Sequence, residues 1–186
     1  MKVVSVNTAR AQKVQINGRE VLTAIGKRPR GGPVAFLPTG MEGDEQADLT
    51  VHGGLSKAVY AYPVEHYGFW REARRSWGLS PELPHGSLGE NLTIEGLPED
   101  SLYVGDTLLF PDCALRVTQP RMPCYKFAAT MGHAHAARKM MQSGFSGFYL
   151  AVDVPGSIEA GQGFEVEPGP RAMPLSELAR PSRSRP

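Results

Sequence analysis

The sequence predicts a mainly β domain with a few helices, and its many short strands suggest a barrel. Runs of β-branched and aromatic residues recur between glycine, proline and aspartate turns along most of the chain. The 21 glycines and 16 prolines suit a turn-dense β domain better than a helical bundle. A length of 186 residues is enough to bury one sizeable core.

The elements follow in order. Lys2-Val3-Val4-Ser5-Val6 is a β-branched run. Lys13–Ile16 and Glu20–Ile25 face each other across Asn17-Gly18, a pair suited to the positive φ angles of a tight hairpin. Arg28–Pro33 breaks regular structure, Val34–Leu37 resumes it, and the glycine- and acid-rich stretch from Gly40 to Asp48 reads as a long loop. Ala58–Tyr62 looks like a buried strand, and Pro63 opens a helix whose apolar stripe runs through Val64, Tyr67, Trp70, Ala73 and Trp77 until Gly78. Further strands are expected at 92–94, 107–110, 114–117, 148–152 and 164–166. The segment Lys126–Gln142 is helix-prone with a break at Gly132, and its His133, His135, Arg138 and Lys139 form a solvated face. Val104–Phe110 and Ala160–Val166 echo each other, each a glycine turn feeding a strand. These readings place one domain at residues 1–167. The Pro-, Arg- and Ser-rich residues 168–186 have too little apolar surface to order themselves and are expected to be a disordered tail.

Lys+Arg 20 against Asp+Glu 19 leaves a formal charge of +1, which argues against a nucleic-acid or membrane-surface protein and for a small-molecule substrate. Two cysteines, and no apolar run long enough to span a bilayer, point to a reducing cytoplasm and away from a Cys113–Cys124 disulfide.

The chemistry-bearing residues fall in three segments. Cys124 ends Pro120-Arg121-Met122-Pro123-Cys124, where two prolines restrict the backbone and Arg121 stands near the thiol. A guanidinium, and the amides of a helix starting at Lys126, favour the thiolate, the nucleophilic and metal-binding form; the other reading is a small buried hydrophobe. His52-Gly53-Gly54 followed by Lys57 supplies close-approaching amides and a point charge, as a phosphate requires, or else is a plain glycine turn. In Gly86–Thr93, Asn91 offers donor and acceptor together to a heterocycle edge, or is an ordinary turn residue. His66 and Tyr67 read as packing residues with polar tips. Asp44, Asp48 and His52 make a poor hard-metal site, since their spacing aligns only on a helix that the glycines disfavour. Structural zinc, a serine-hydrolase elbow, a dinucleotide fingerprint and a P-loop all lack their patterns.

Taken together, HGGLSKAVYAYPVEHY at 52–67, GSLGENLT at 86–93, VGDTL at 104–108, TQPRMPCYK at 118–126 and SGFYLAV at 146–152 resemble the successive signatures of a MOSC domain, the molybdenum cofactor sulfurase C-terminal module, in its stand-alone YiiM-like branch. The resemblance implies a closed, mostly antiparallel β-barrel like the small barrel domain of pyruvate kinase, and binding of a molybdopterin-type molybdenum cofactor. Cys124 matches the family's cysteine and is expected to ligate molybdenum, a role that suits a soft thiolate. Arg121, Lys57 and the Gly53-Gly54 backbone would hold the cofactor's phosphate or pterin, with His52 and Asn91 around the same pocket. Two positions depart from the pattern: Leu88 stands where phenylalanine is usual, and the late turn is Gly161-Gln162. The three-helix domain of longer members is represented only by Leu175–Ala179.

The function implied is reduction of N-hydroxylated compounds, such as N-hydroxylated purine analogues, with electrons from an external reductase or flavoprotein because no haem, flavin or iron–sulfur motif is present. The alternatives are a sulfur carrier with a persulfide on Cys124 and a cofactor-binding module without turnover. A family-level association with pyridoxal phosphate is weak, since a Schiff base at Lys57 would need a pyridine pocket that the sequence does not specify.

Overall fold

The computed structural model describes residues 1–47 and 53–179. In chain order the strands and helices are β1 (Lys2–Thr8), β2 (Gln12–Ile16), β3 (Arg19–Thr23), β4 (Arg28–Pro29), β5 (Val34–Leu37), β6 (Gly40–Met41), β7 (Val59–Pro63), α1 (Tyr67–Ser76), β8 (Leu92–Glu95), β9 (Thr107–Leu109), β10 (Ala114–Pro120), α2 (Tyr125–Met131), α3 (Ala136–Ser143), β11 (Phe148–Val154), β12 (Gly156–Ile158), β13 (Glu165–Glu167) and α4 (Leu175–Ala179).

Local chemistry accounts for most of these. Asn17 and Gly18 take φ of 51° and 75°, the left-handed pair that closes β2 onto β3 with Ile16 opposite Arg19. Gly132 and Gly144 are left-handed caps that end α2 and α3. Pro63 is the last residue of β7, one short 3-10 turn ahead of α1. The echoed segments at 104–110 and 160–166 land on neighbours, since β13 pairs antiparallel with β9.

The main sheet has eight strands in the order β13-β9-β10-β11-β7-β8-β1-β4. Every pair is antiparallel except β7–β8, whose parallel pairing needs the long crossover through α1. A three-stranded sheet, β12-β5-β6, and the β2–β3 hairpin complete the β structure.

The expected closed barrel is not formed: the sheet is open and mixed. Among the described residues its first strand, β13, pairs only with β9. The chain returns to β1 just before β13, where Val3 N donates to Gln162 O at 2.9 Å and Gly161 N to Val3 O at 2.8 Å. The contact is an isolated Lys2–Gly163 bridge. The reason is local: the Gly161-Gln162-Gly163 turn supplies too few extended residues for a ladder, and closure requires a continuous one.

β7 is buried on both faces and separates two cores. Val59 and Ala61 face the larger one, with Val3, Leu92, Ile94, Leu115, Val117, Phe148 and Leu150. Tyr60 and Tyr62 face the other, where α1, α2 and α3 contribute Tyr67, Trp70, Phe127, Met131 and Met140. Trp70 Nε1 donates to the Tyr62 hydroxyl at 2.6 Å, which satisfies the buried indole. Leu88, the residue that departs from the family pattern, is fully buried in this second core.

Residues 168–179, which composition assigns to the tail, lie on the domain. Gly169 N donates to Asp106 Oδ1 at 2.8 Å and Leu175 N to Leu102 O at 2.9 Å, and the Leu175 side chain is fully buried. The buried Leu175 and Ala179 side chains, with these hydrogen bonds, order a segment whose average composition is polar. Residues 180–186 lie outside the described part.

Candidate functional site

A cleft of about 110 Å³ opens where the ends of several elements meet. Its walls include Gly53, Lys57, Asn91, Arg121 and Cys124, which are spread over the sequence but share this space. His52, like Asp48, lies outside the described residues. Gly54 is not among the described lining residues; it sits at φ 83° and its amide donates to Gln46 Oε1 at 3.3 Å.

Cys124 is half-buried, with extended backbone, on the residue before α2. β10 ends at Pro120, and Arg121 N donates to Gly147 O at 3.1 Å, so the segment leading to the thiol is tied to the start of β11. Cys113, in contrast, is buried in the main core, and burial pushes its thiol up to about 11, helped by Asp112. Cys113 and Cys124 are not joined in a disulfide.

Arg121 is the most unusual residue of the cleft. It is 5 % exposed, and its guanidinium carbon lies 4.9 Å from the centre of the Tyr60 ring and 4.8 Å from that of Phe127. Its Nη1 contacts Met140 Sδ at 3.6 Å, and it hydrogen-bonds the Tyr149 side chain. Among the described residues no carboxylate pairs with it. Burial opposes its charge, yet Tyr60, Tyr149 and Cys124 around it push its pKa above the ordinary arginine value. Burying a cation without an acid costs several kcal/mol. Two aromatic faces offset about 2 kcal/mol each when desolvated. The guanidinium therefore stays a cation at the cleft wall, where it suits an anionic ligand.

Lys57 ends a short 3-10 turn, Leu55–Lys57, and its ammonium lies 5.9 Å from the centre of the Tyr149 ring. Tyr149 and Tyr60 are register partners on β11 and β7, which is why both rings reach one wall. Asn91, however, is spent on structure. Its Oδ1 accepts from Tyr60 N at 3.1 Å, and its Nδ2 donates to Asn7 O at 3.3 Å and Asp44 Oδ2 at 2.9 Å. Both donors are used, so Asn91 positions the cleft wall and has no N–H left for a heterocycle edge.

Sequence reasoning missed Lys27, Tyr60, Tyr149 and Lys126 on the walls, and the true use of Asp44. Asp44 accepts from Ala9 N at 2.8 Å and pairs with the buried ammonium of Lys27. No cluster of histidine, cysteine and acidic residues suited to a metal occurs among the described residues. None of these residues sits in a local motif; only a strand register and two loop contacts bring them together. The exception is the Gly86–Asn91 turn, where a Cβ at Gly86 would come within 2.7 Å of Lys27 O. That glycine permits the close approach. Glu90 inside the turn is fully buried, accepting from Gly86 N at 2.7 Å, Leu88 N at 3.1 Å, Thr93 Oγ1 at 2.9 Å and the Tyr67 hydroxyl. His66 is a packing residue as expected, stacked on Phe145 and bonded to Glu99 at 2.6 Å.

The residues present fit an anionic, phosphate-bearing cofactor. Arg121, Lys57 and Lys126 supply cations, Gly53 at φ 135° presents backbone without a side chain, and Cys124 supplies a soft ligand. Among the described residues no helix is long and apolar enough to cross a membrane.

A model of the MOSC domain matches residues 48–165. YflK of Bacillus subtilis is 39% identical over 164 residues, 88% of this chain and 72% of its own length. YiiM of Escherichia coli is 35% identical over 148 residues, 80% of this chain and 65% of its own length, so about a third of that relative has no counterpart in the match. A protein of Gibberella moniliformis named Reductase is 32% identical over 158 residues, 84% of this chain but 27% of that longer protein. The crystal structure of YiiM from Geobacillus stearothermophilus superposes with a TM-score of 0.76 at 32% identity, covering 96% of this chain and 81% of that one. The chain belongs to the MOSC domain family, associated with the molybdenum cofactor, and within it is YiiM-like.

Proposed function

We propose that this protein binds a molybdopterin-type cofactor in the cleft and reduces N-hydroxylated compounds, N-hydroxylated purine analogues among them. The observation that carries the reading is that Arg121, buried and paired with no carboxylate among the described residues, stands in one cleft with Cys124: an anion there meets a cation and a thiol. The fungal relative named Reductase adds a consistent activity class, in a protein where the matching stretch is one part of a longer chain.

When bound, the cofactor supplies molybdenum redox chemistry. Cys124 would hold the metal as a thiolate, favoured by the Arg121 charge. Arg121, Lys57 and the Gly53 backbone would bind the phosphate and pterin, and Tyr60 and Tyr149 would keep Arg121 oriented while excluding water from its faces. Electrons would come from an external reductase or flavoprotein. A direct test supplies reduced viologen dye and an N-hydroxylated aminopurine to protein made in a pterin-competent host. The reading expects the aminopurine as product; no product from protein that carries the cofactor removes the substrate assignment.

A further inference from the structure

We propose that Lys27, clamped by Asp44, is the acid that protonates the oxygen leaving the substrate nitrogen, an inference that rests on the reductase reading above. Lys27 lines the same cleft as Cys124 and Arg121, yet nothing in its sequence neighbourhood marks it. Its backbone is fixed from two sides. Its amide donates to Ile25 O at 2.9 Å, and its carbonyl packs against Gly86 where a Cβ would stand 2.7 Å away. The ammonium pairs with Asp44, whose carboxylate is itself held by Ala9 N at 2.8 Å and Asn91 Nδ2 at 2.9 Å. An ammonium has three N–H donors, and Asp44 Oδ1 takes one, so the group is oriented and still has protons to give.

The other described wall residues serve worse. Arg121 does not release its proton in water. The Tyr60 hydroxyl donates to Ser146 O at 2.7 Å, and burial pushes it and Tyr149 up. Lys126 is half-buried with its ammonium bonded to Leu22 O at 3.2 Å, and Glu45 is turned to Ala11 N at 2.7 Å. Lys57 stands over Tyr149, where it serves the anion. For Lys27, burial lowers the pKa while Asp44, and more weakly Glu90, raise it, which brings an ammonium toward the working range of an acid. The step balances as follows. The N–O bond takes up two electrons from a reduced flavoprotein and breaks; Lys27 delivers the proton that makes the departing hydroxide water; the amine nitrogen takes the second proton from solvent, which also reprotonates Lys27.

The first test is an NMR titration of ¹³Cε-lysine in cofactor-free protein. One resonance, identified by its loss in Lys27→Met or Lys27→Arg, should titrate below the remaining lysines and move lower still in Asp44→Asn, because Asp44 holds the proton on. A Lys27 resonance that titrates with the exposed lysines, or ignores Asp44→Asn, overturns the proposal. The second uses loaded protein with molybdenum and pterin measured alongside. Lys27→Met and Lys27→Arg should both lose about a hundredfold or more in turnover at wild-type cofactor content, since a guanidinium keeps the charge but not the transferable proton. Should the Lys27 variants fail to fold, the alkaline limb of the rate profile in Asp44→Asn should move to lower pH, and an unmoved limb counts against the acid. Full activity of Lys27→Arg shows that only the charge matters and refutes the role. Absence of cofactor from the wild type would instead remove the reductase reading itself.

Discussion

Arg121 lies with its guanidinium 4.9 Å above the Tyr60 ring, and the Tyr60 amide is hydrogen-bonded to Asn91 at 3.1 Å. Through β7, therefore, the buried cation of the Cys124 segment and the amide of the Gly86–Asn91 turn are fixed to one strand. Residues far apart in sequence acquire one geometry because each is tied to the same backbone.

Removing the Arg121 charge separates stability from binding. Arg121→Met keeps much of the volume between Tyr60 and Phe127 and removes a buried cation that no carboxylate pairs with among the described residues. The cofactor-free protein should melt at the same temperature or higher, by analogy with buried charges replaced by apolar groups, which is neutral or stabilising by about 1–4 kcal/mol. Retention of a phosphate-bearing cofactor should fall at least tenfold. A large loss of thermal stability in the cofactor-free variant would show that the charge is compensated inside the protein.

The two thiols should differ sharply in reactivity. With Cys113 buried and its pKa raised to about 11, a disulfide reagent at pH 8 should modify Cys124 in the folded protein and Cys113 only on unfolding. Cys113→Ser places a hydroxyl in the main core and should cost about 1–3 kcal/mol while turnover persists. Cys124→Ser should leave the melting temperature nearly unchanged and abolish turnover. Mass spectrometry of the modified peptides checks the order, and prior labelling of Cys113 contradicts it.

Glu90 gives a pH signature. Burial raises its folded pKa above the ordinary 4.5, so its stabilising contribution is complete below that value and is lost as pH rises through the folded pKa. Stability measured by denaturant titration should therefore contain a component that falls as pH rises above 4.5 and through the raised pKa of Glu90, and Glu90→Gln should flatten it. An unchanged slope in Glu90→Gln would mean that another group produces the effect.

Glycines test the close approaches. At Gly147, just before β11, φ is 66° and a Cβ would stand 2.5 Å from Ala61 O at the end of the β7–β11 ladder. Gly18, at φ 75°, has open space around it. Gly147→Ala should cost more than about 3 kcal/mol and Gly18→Ala only about 1–2, the left-handed penalty alone. Equal losses would place the cost in φ and not in the packing.

The legible parts of the fold were those governed by local chemistry. The Asn17-Gly18 hairpin, the apolar stripe of α1 and the Gly132 break needed only residues within a few positions of one another. The closed barrel was not legible, because closure depends on whether Gly161–Gly163 can ladder with β1, and a strand-like composition at 164–166 says nothing of the partner. Leu175 shows the converse: composition averaged over residues 168–186 hides one anchoring side chain. At the site, Cys124, Arg121, Lys57 and Gly53 fall together in one cleft, whereas Asn91 reads as a ligand donor in sequence and is a wall brace in structure. The pairing of Lys27 with Asp44 was invisible because it is a meeting of two loops.

The central claim is that the cleft holds a molybdenum cofactor through Cys124. Its most direct test is the ratio of molybdenum to protein, with the fluorescence of oxidised pterin, in wild type and Cys124→Ser purified from a host that makes the cofactor. The account predicts molybdenum and pterin together in the wild type and molybdenum sharply reduced in Cys124→Ser. Equal molybdenum in both proteins, or wild-type protein with neither, would contradict it.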